Sequence, residues 1–256
     1  MKLFDATLDL AAFAKGTEDY TVTAVNGRQL TCSRLSGRVS EFGRGTVWIR
    51  SGESAGYFGK IRSASAQTIN LEEAVAIAPG DEITIGAWLE FDLQDLINAV
   101  NSVLRMYRIL KQNDELLYDP DVFEYDLPEG VTEDIRSVLL PRPWGIESSH
   151  YWRVENGKLM LYGKYISTKS KDQPIRLNYV DYHGAVGKDD VISGQVDPLY
   201  LRYMSWLYLC RHLIQKTHKD NLVSSDMYNE AKIYERDYGR LPNKRLPLKV
   251  MTFPAY

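Results

Sequence analysis

Residues Asp92–Lys111 read DLQDLINAVNSVLRMYRILK, and the change of period they bring decides the fold class. Apolar residues recur at Leu93, Leu96, Ile97, Val100, Val103, Leu104, Tyr107 and Leu110, a spacing that draws one stripe along an α-helix. Asp92 stands where a helix N-cap is wanted. Upstream the period is two. Thr46–Arg50 (TVWIR), Tyr57–Arg62 (YFGKIR), Thr68–Leu71 and Glu82–Ile85 read as short strands between Gly/Ser-rich breaks, with Pro79-Gly80-Asp81 turning the chain before the last. A small barrel or sandwich is expected there. The first 44 residues are less patterned: Ala11–Ala14 hints at a short helix, and Thr21–Val25, Asn26-Gly27 and Leu30–Leu35 suggest a hairpin.

Downstream, residues 113–134 hold nine Asp or Glu and no Lys or Arg. Strand-like runs follow at Arg136–Leu140, Tyr151–Val154, Lys158–Tyr162 and Pro174–Tyr182. Glu155-Asn156-Gly157 joins two of them, and Asn-Gly tolerates the positive φ values that a tight hairpin turn requires. In the last run Ile175, Leu177 and Tyr179 alternate with Arg176, Asn178 and Val180, as in a strand with two unlike faces. Asp197-Pro198 opens a second helix, with Asp at the cap and Pro at the first helical position. It is expected to run to about Thr217. A third is expected over 225–238, closed by Gly239 with Pro242 beyond. The whole is an α+β chain: a β-rich domain over 1–90, an α+β domain over 91–239 with helices 92–111, 197–217 and 225–238, and an extended arm over 240–256.

At 256 residues, 44% hydrophobic and 25% charged, the chain can bury one large core or two smaller ones. A net charge of −3 gives no global attraction to nucleic acid or anionic lipid. Two cysteines, Cys32 and Cys210, exclude a disulfide scaffold and suit a reducing cytosol. No apolar run approaches the roughly 20 residues of a spanning helix, and no membrane partner is expected. Asp5 and Asp9 would interrupt the core of a signal peptide, so the N-terminus reads as a mature start. The 17 Tyr and 5 Trp point to aromatic-rich cores and to protein–protein interfaces.

Catalytic patterns are absent from the sequence, and no enzyme is expected. There is no Gly-x-Ser-x-Gly elbow, and Gly37, Gly43, Gly45, Gly52, Gly56 and Gly59 follow neither a P-loop nor a dinucleotide fingerprint. His212 and His218, six apart on a helix, fall on different faces rather than at zinc-pair spacing; His150 and His183 are isolated. No metal or cofactor is expected. The acidic residues Asp114, Glu115, Asp119, Asp121, Glu124 and Asp126 lack the EF-hand spacing and its central Gly, and read better as a solvated or partner-facing surface. The terminal arm carries Arg240, Lys244, Arg245 and Lys249 with no acid among them, then the apolar tip Met251, Phe253 and Tyr256. Its prolines favour extended chain, and such arms dock on neighbouring subunits.

The order of these parts resembles the head-to-tail connector, or adaptor, subunits found in the neck of tailed bacteriophages. The likeness runs from the strand-rich Gly45–Ile85, closing in GDEITI, through Leu93–Lys111, YDLPEGVTEDIRSVLL, WRVENGKLML and PIRLNYVDYH, to the helices between Asp197 and Gly239. It covers about four fifths of the chain in architecture, and the first 44 residues lie outside it. It implies a structural virion protein made in the host cytoplasm. Such a protein forms a ring, as a dodecamer, between the portal and a further neck or tail protein, and DNA passes non-specifically through its lumen. It also implies partner contacts by the arm and an acidic lumen or joint at residues 113–134. Other readings are a different tail or baseplate protein, a carbohydrate-binding β module using exposed Trp and Tyr, and a hydrolase with two facing carboxylates.

Overall fold

The computed structural model describes residues 1–256 except 15, 33–34, 36–38, 87–90, 143–144, 150, 163–169, 218–228, 230–231, 234 and 238–256, and, for side chains, 40–41, 142, 145–149 and 212–217. The chain mixes helix and strand in two compact units. Unit 1 is Met1–Met106 with the described part of Gly184–Gly239, and unit 2 begins at Tyr107 and runs to His183. The second unit is therefore inserted into the first, a division the sequence did not suggest.

Unit 1 opens with α1 (Leu3–Phe13), longer than the short helix expected at 11–14. Leu3, Phe4, Ala6, Thr7, Leu10 and Ala11 make its buried stripe, and Asp5 and Asp9 fall outside it. Six strands follow: β1 (Thr17–Asn26), β2 (Gln29–Cys32), then after the single turn α2 (Val39–Phe42), β3 (Thr46–Ile49), β4 (Phe58–Ala64), β5 (Thr68–Leu71) and β6 (Glu82–Gly86). They close a barrel in the order β1-β2-β5-β4-β3-β6, every pair antiparallel, so of the two expected forms the barrel is the one adopted. Closure leaves no sheet edge. It works because two strands change partners midway. Thr17–Thr21 of β1 pair with β6 and Val22–Asn26 with β2; likewise Phe58–Lys60 of β4 pair with β3 and Ile61–Ala64 with β5. The hairpin turn is Gly27-Arg28, one residue later than the Asn26-Gly27 expected, because Asn26 already pairs with Gln29. Where β3 begins, a Cβ on Gly45 would lie 2.3 Å from the Gly86 carbonyl oxygen, so the approach of β6 requires glycine there.

Val22, Leu30, Val47, Ile49, Ile61, Ile69, Leu71, Ile83 and Ile85 fill the barrel. In β3 all four residues are buried, which alternation alone does not explain. The outward pair, Thr46 and Trp48, is covered from outside, and the Trp48 Nε1–H donates to Thr7 Oγ1 of α1 at 3.2 Å. Phe4 of α1 meets Phe58 edge-on at 6.1 Å between centroids.

α3 (Leu93–Met106) buries Leu93, Leu96, Ala99, Val100, Val103 and Leu104. Asp92 Oδ1 accepts the Asp95 N–H and Asp95 Oδ2 accepts the Asp92 N–H, both at 3.0 Å, a reciprocal cap. The Lys60 ammonium lies 2.8 Å from Asp92 Oδ2 and ties the cap to β4. This ion pair and two backbone N–H groups hold the Asp92 carboxyl below its usual range, outweighing a burial effect that pushes it up. The helix ends at Met106 and not at Lys111, because the residues that continue its apolar spacing are taken by a long-range strand pairing in unit 2. After that unit the chain returns to α4 (Pro198–Thr217), over the expected span, with Asp197 Oδ1 accepting from the Leu199 and Tyr200 N–H at 2.9 and 3.0 Å. Asp9 of α1 accepts two hydrogen bonds from the Arg202 guanidinium of α4, the Nε bond at 2.6 Å. Within the expected helix 225–238, Asn229, Lys232, Ile233 and Glu235–Asp237 are helical, and Glu235 pairs with Arg211 of α4 at 3.0 Å; the remainder lies outside the described residues.

Unit 2 contains β7 (Arg108–Leu117), β8 (Glu124–Asp126), β9 (Ile135–Arg142), β10 (Gly145–Ser149), β11 (Trp152–Glu155), β12 (Lys158–Leu161) and β13 (Pro174–Tyr182). One sheet has the order β10-β9-β13-β7 and the other β11-β12-β8. The hairpin between β11 and β12 turns on Asn156 and Gly157, at φ 52° and 74°, as its sequence demands. A shared core gathers Tyr118, Tyr125, Ile135, Val138, Leu140, Trp152, Leu159, Leu161, Ile175, Leu177 and Tyr179. The alternation expected in β13 holds through Tyr179. Val180 breaks it by being buried too, next to a register shift between Asn178 and Tyr179.

Candidate interaction surface

The sheet β11-β12-β8 sets two unlike faces in register. Trp152 lies opposite Leu161, Val154 opposite Leu159, and Leu159 opposite Tyr125, so these turn into the core. The other parity faces out. Arg153 stands opposite Met160 and Met160 opposite Glu124; Glu155 stands opposite Lys158 and Lys158 opposite Asp126. Beyond the last paired residues, the Tyr162 N–H donates to the Tyr151 carbonyl at 2.8 Å, which places these two tyrosines side by side. Tyr151 is 51% exposed and Tyr162 41%, and the Tyr162 hydroxyl reaches Met160 Sδ at 3.4 Å. An aromatic and methionine-bearing end thus gives way, toward the hairpin tip, to a ladder of charges: Arg153 with Glu155 at 3.0 Å and Lys158 with Glu124 at 3.6 Å. Just before β8, Val122 and Phe123 are 40% and 50% exposed. Tyr and Met are the side chains that interfaces favour.

The acidic run 113–134 is partly paired in the fold. Asp114 lies 3.0 Å from Arg176, Asp119 3.2 Å from Lys171 and Glu124 3.6 Å from Lys158. Asp134 pairs with Arg108 and, at 3.1 Å, with Arg136, while Glu133 accepts the Gly157 N–H at 2.7 Å. These partners lie outside the run, on β7, β9, β12, β13 and the turn that precedes β13. Among the described residues Glu115, Asp121, Asp126 and Glu129 form no ion pair, and all four are exposed. Asp119 is held below the usual carboxylate range by the Asp121 backbone N–H and then by Lys171.

The Arg176 guanidinium holds the Asp114 carboxyl below its usual range as well, and this gives a pH prediction. A carboxyl whose folded pKa is depressed stabilises the fold above its unfolded value of about 3.9. That contribution is lost as the pH falls from there through the lower folded value. The pair is about one-third exposed, so solvent screening keeps it small. Carbon-detected NMR titration is expected to place the Asp114 midpoint below that of an ordinary aspartate, and Arg176→Gln to return it upward.

Elsewhere the surface is ordinary. A crevice lined by Leu10, Val100, Leu201, Arg202 and Ser205 is too tight for a water molecule, and the Ser205 hydroxyl inside it has no hydrogen-bond partner among the described residues. The cysteines are free and buried, and burial pushes Cys32 up to about 11 and Cys210 up to about 12, away from reactive thiolate. Burial, and then the hydrogen bond to Glu73, pushes Tyr57 up to about 12. Among the described residues no three His, Cys, Asp or Glu side chains are grouped to hold a metal. Trp48, Trp152 and Trp206 are buried, which removes them from a glycan platform. Trp88, Trp144, the pair His212 and His218, and the arm residues Arg240, Lys244, Arg245, Lys249, Met251, Phe253 and Tyr256 fall where side chains are not described.

Tyr151, Tyr162, Val122 and Phe123 were not singled out in the sequence. The Asn156-Gly157 turn could have found the tyrosines, since it fixes the register and puts Tyr151 on the face opposite buried Trp152. No model of a known protein family and no curated protein sequence matches this chain.

Proposed function

We propose that the chain is a structural subunit of a tailed-bacteriophage neck, assembling into a ring at the head-to-tail interface that joins the portal to the tail. The observation that carries this reading is the outward face of β11-β12, where Tyr151 and Tyr162 stand exposed beside Met160 on a strand scaffold. A pair of large amphipathic rings held on adjacent strands loses little conformational entropy when covered, and it suits a contact between subunits. The resemblance in the order of parts supports the neck position over another place in the tail. On this reading the chain contacts further copies of itself, the portal and a second neck or tail protein, and DNA passes without sequence-specific contacts.

The test is to mix the purified chain with purified rings of candidate portal proteins and image the mixture by electron microscopy. An added layer sharing the portal's symmetry is the expected result. Portals that stay bare, with the chain shown to be folded, move the assignment to another virion position. In that assay Tyr151→Ser with Tyr162→Ser is expected to abolish the layer while leaving the circular dichroism spectrum unchanged.

A further inference from the structure

The free edge of β8 has an unusual make-up. Among the described residues β8 is the last strand of its sheet, paired only with β12. The Leu161 N–H donates to the Phe123 carbonyl and the Leu127 N–H donates to the Gly157 carbonyl, both at 2.9 Å, so the odd-numbered residues spend their backbone groups on β12. By the alternation of an antiparallel ladder, the N–H and C=O groups of Glu124 and Asp126 point away from the sheet. The same edge offers Val122 and Phe123 as exposed apolar side chains. Around it lie Asp121, Asp126 and Glu129, which form no ion pair among the described residues, together with Glu124, whose contact to Lys158 is a loose 3.6 Å between half-exposed groups. Unprotected strand edges are normally blunted by lysine or proline. From Asp121 to Leu127 the edge bears neither, Pro120 and Pro128 standing just outside that stretch, and its charge is of one sign.

One segment of the chain has the complementary chemistry. Residues 240–249, RLPNKRLPLK, carry Arg240, Lys244, Arg245 and Lys249 with no acid, interleaved with Leu241, Leu246 and Leu248. Pro242 and Pro247 exclude a helix interior and favour extended chain, the conformation a strand edge accepts. We infer that the C-terminal arm docks along the free edge of β8, its bases over Asp121, Glu124, Asp126 and Glu129 and its leucines against Val122 and Phe123. This gives the carboxylates a peptide partner, where a lumen lining would have them facing DNA. The inference does not depend on the neck assignment.

The test is limited trypsin digestion of the full chain, following cleavage after Arg240 and Lys249 by mass spectrometry. A docked arm is cut only from its undocked population, so cleavage is expected to be about tenfold slower than in a synthetic 232–256 peptide, in which both sites are internal. Raising the salt to about 1 M, where charges are screened within roughly 3 Å, is expected to remove most of that protection. Asp121→Lys with Asp126→Lys is expected to raise the cleavage rate about tenfold, as is Lys244→Glu with Arg245→Glu, which leaves both scored sites intact. Combining the four changes is expected to restore protection, a result that misfolding cannot mimic. A wild-type arm cut as fast as the free peptide, or a four-fold variant no better protected than the double ones, overturns the inference.

Discussion

Trp48→Ala is expected to lower the free energy of unfolding by about 3–5 kcal/mol, the cost of emptying a large aromatic site that cannot collapse. Trp48 is 0% exposed although it points out of the barrel, because α1 covers it, and its indole N–H is bonded to Thr7 Oγ1. The loss therefore falls on the joint between barrel and helix rather than on the barrel interior. Urea unfolding followed by circular dichroism measures it. Trp48→Phe, which keeps most of the bulk and loses the N–H donor, is expected to cost less, about 1–3 kcal/mol. A loss below about 1 kcal/mol for the alanine variant would mean that α1 does not hold β3 as described.

Leu177→Ala is expected to cost about 2–5 kcal/mol. Leu177 is 0% exposed on β13, the strand that pairs with β9 on one side and with β7 on the other. Its removal hollows the core beneath the place where three strands meet. Hydrogen exchange by mass spectrometry is the suitable measurement, since protection should fall first in peptides covering 108–117, 135–142 and 174–182. Arg176→Ala, one residue away on the opposite face, removes only the exposed pair with Asp114 and is expected to leave those peptides near their wild-type rates. Equal deprotection by both variants would contradict the two-faced reading of β13.

The parts of the fold that depend on neighbouring residues were readable. The Asn156-Gly157 turn needs only its own backbone preferences, and Asp197-Pro198 announces α4 by capping chemistry that the structure retains. The last four barrel strands were legible for the same reason, as short runs between Gly/Ser-rich breaks, whereas β1 and β2 were read only as a hairpin outside the barrel and its closure was not readable. What failed depended on distant residues. Tyr107 and Leu110 extend the helical spacing of α3, yet Leu110 pairs with Val180 of β13, a strand some 70 residues later. Asp5 and Asp9 obscured α1. Nothing near Asp9 in sequence shows that Arg202 waits for it on α4.

The candidate surface divides in the same way. The acidic run was conspicuous, but the pairing of Asp114, Asp119, Glu124 and Asp134 was not, because Arg176, Lys171, Lys158, Arg108 and Arg136 all lie outside the run. Conversely, the exposure of Tyr151 and Tyr162 follows from register, which a count of aromatic residues does not contain.

The insertion of one unit within the other also bears on how the protein is made. The ribosome releases α1, the barrel strands and α3 well before α4, which begins at Pro198, about 90 residues after α3 ends. At about 5–20 residues per second that interval is roughly 5–20 s. Throughout it Leu10 and Val100, which line a crevice with Leu201, lack that residue's cover. The inserted unit emerges during this wait, and its ends meet, since the His183 N–H donates to the Tyr107 carbonyl at 2.9 Å. Its closure brings the chain back beside the point where it left, so the late helix is delivered near its partners instead of having to find them by diffusion. Nascent chains stalled before residue 198 are the forms in which chaperone capture and aggregation would concentrate.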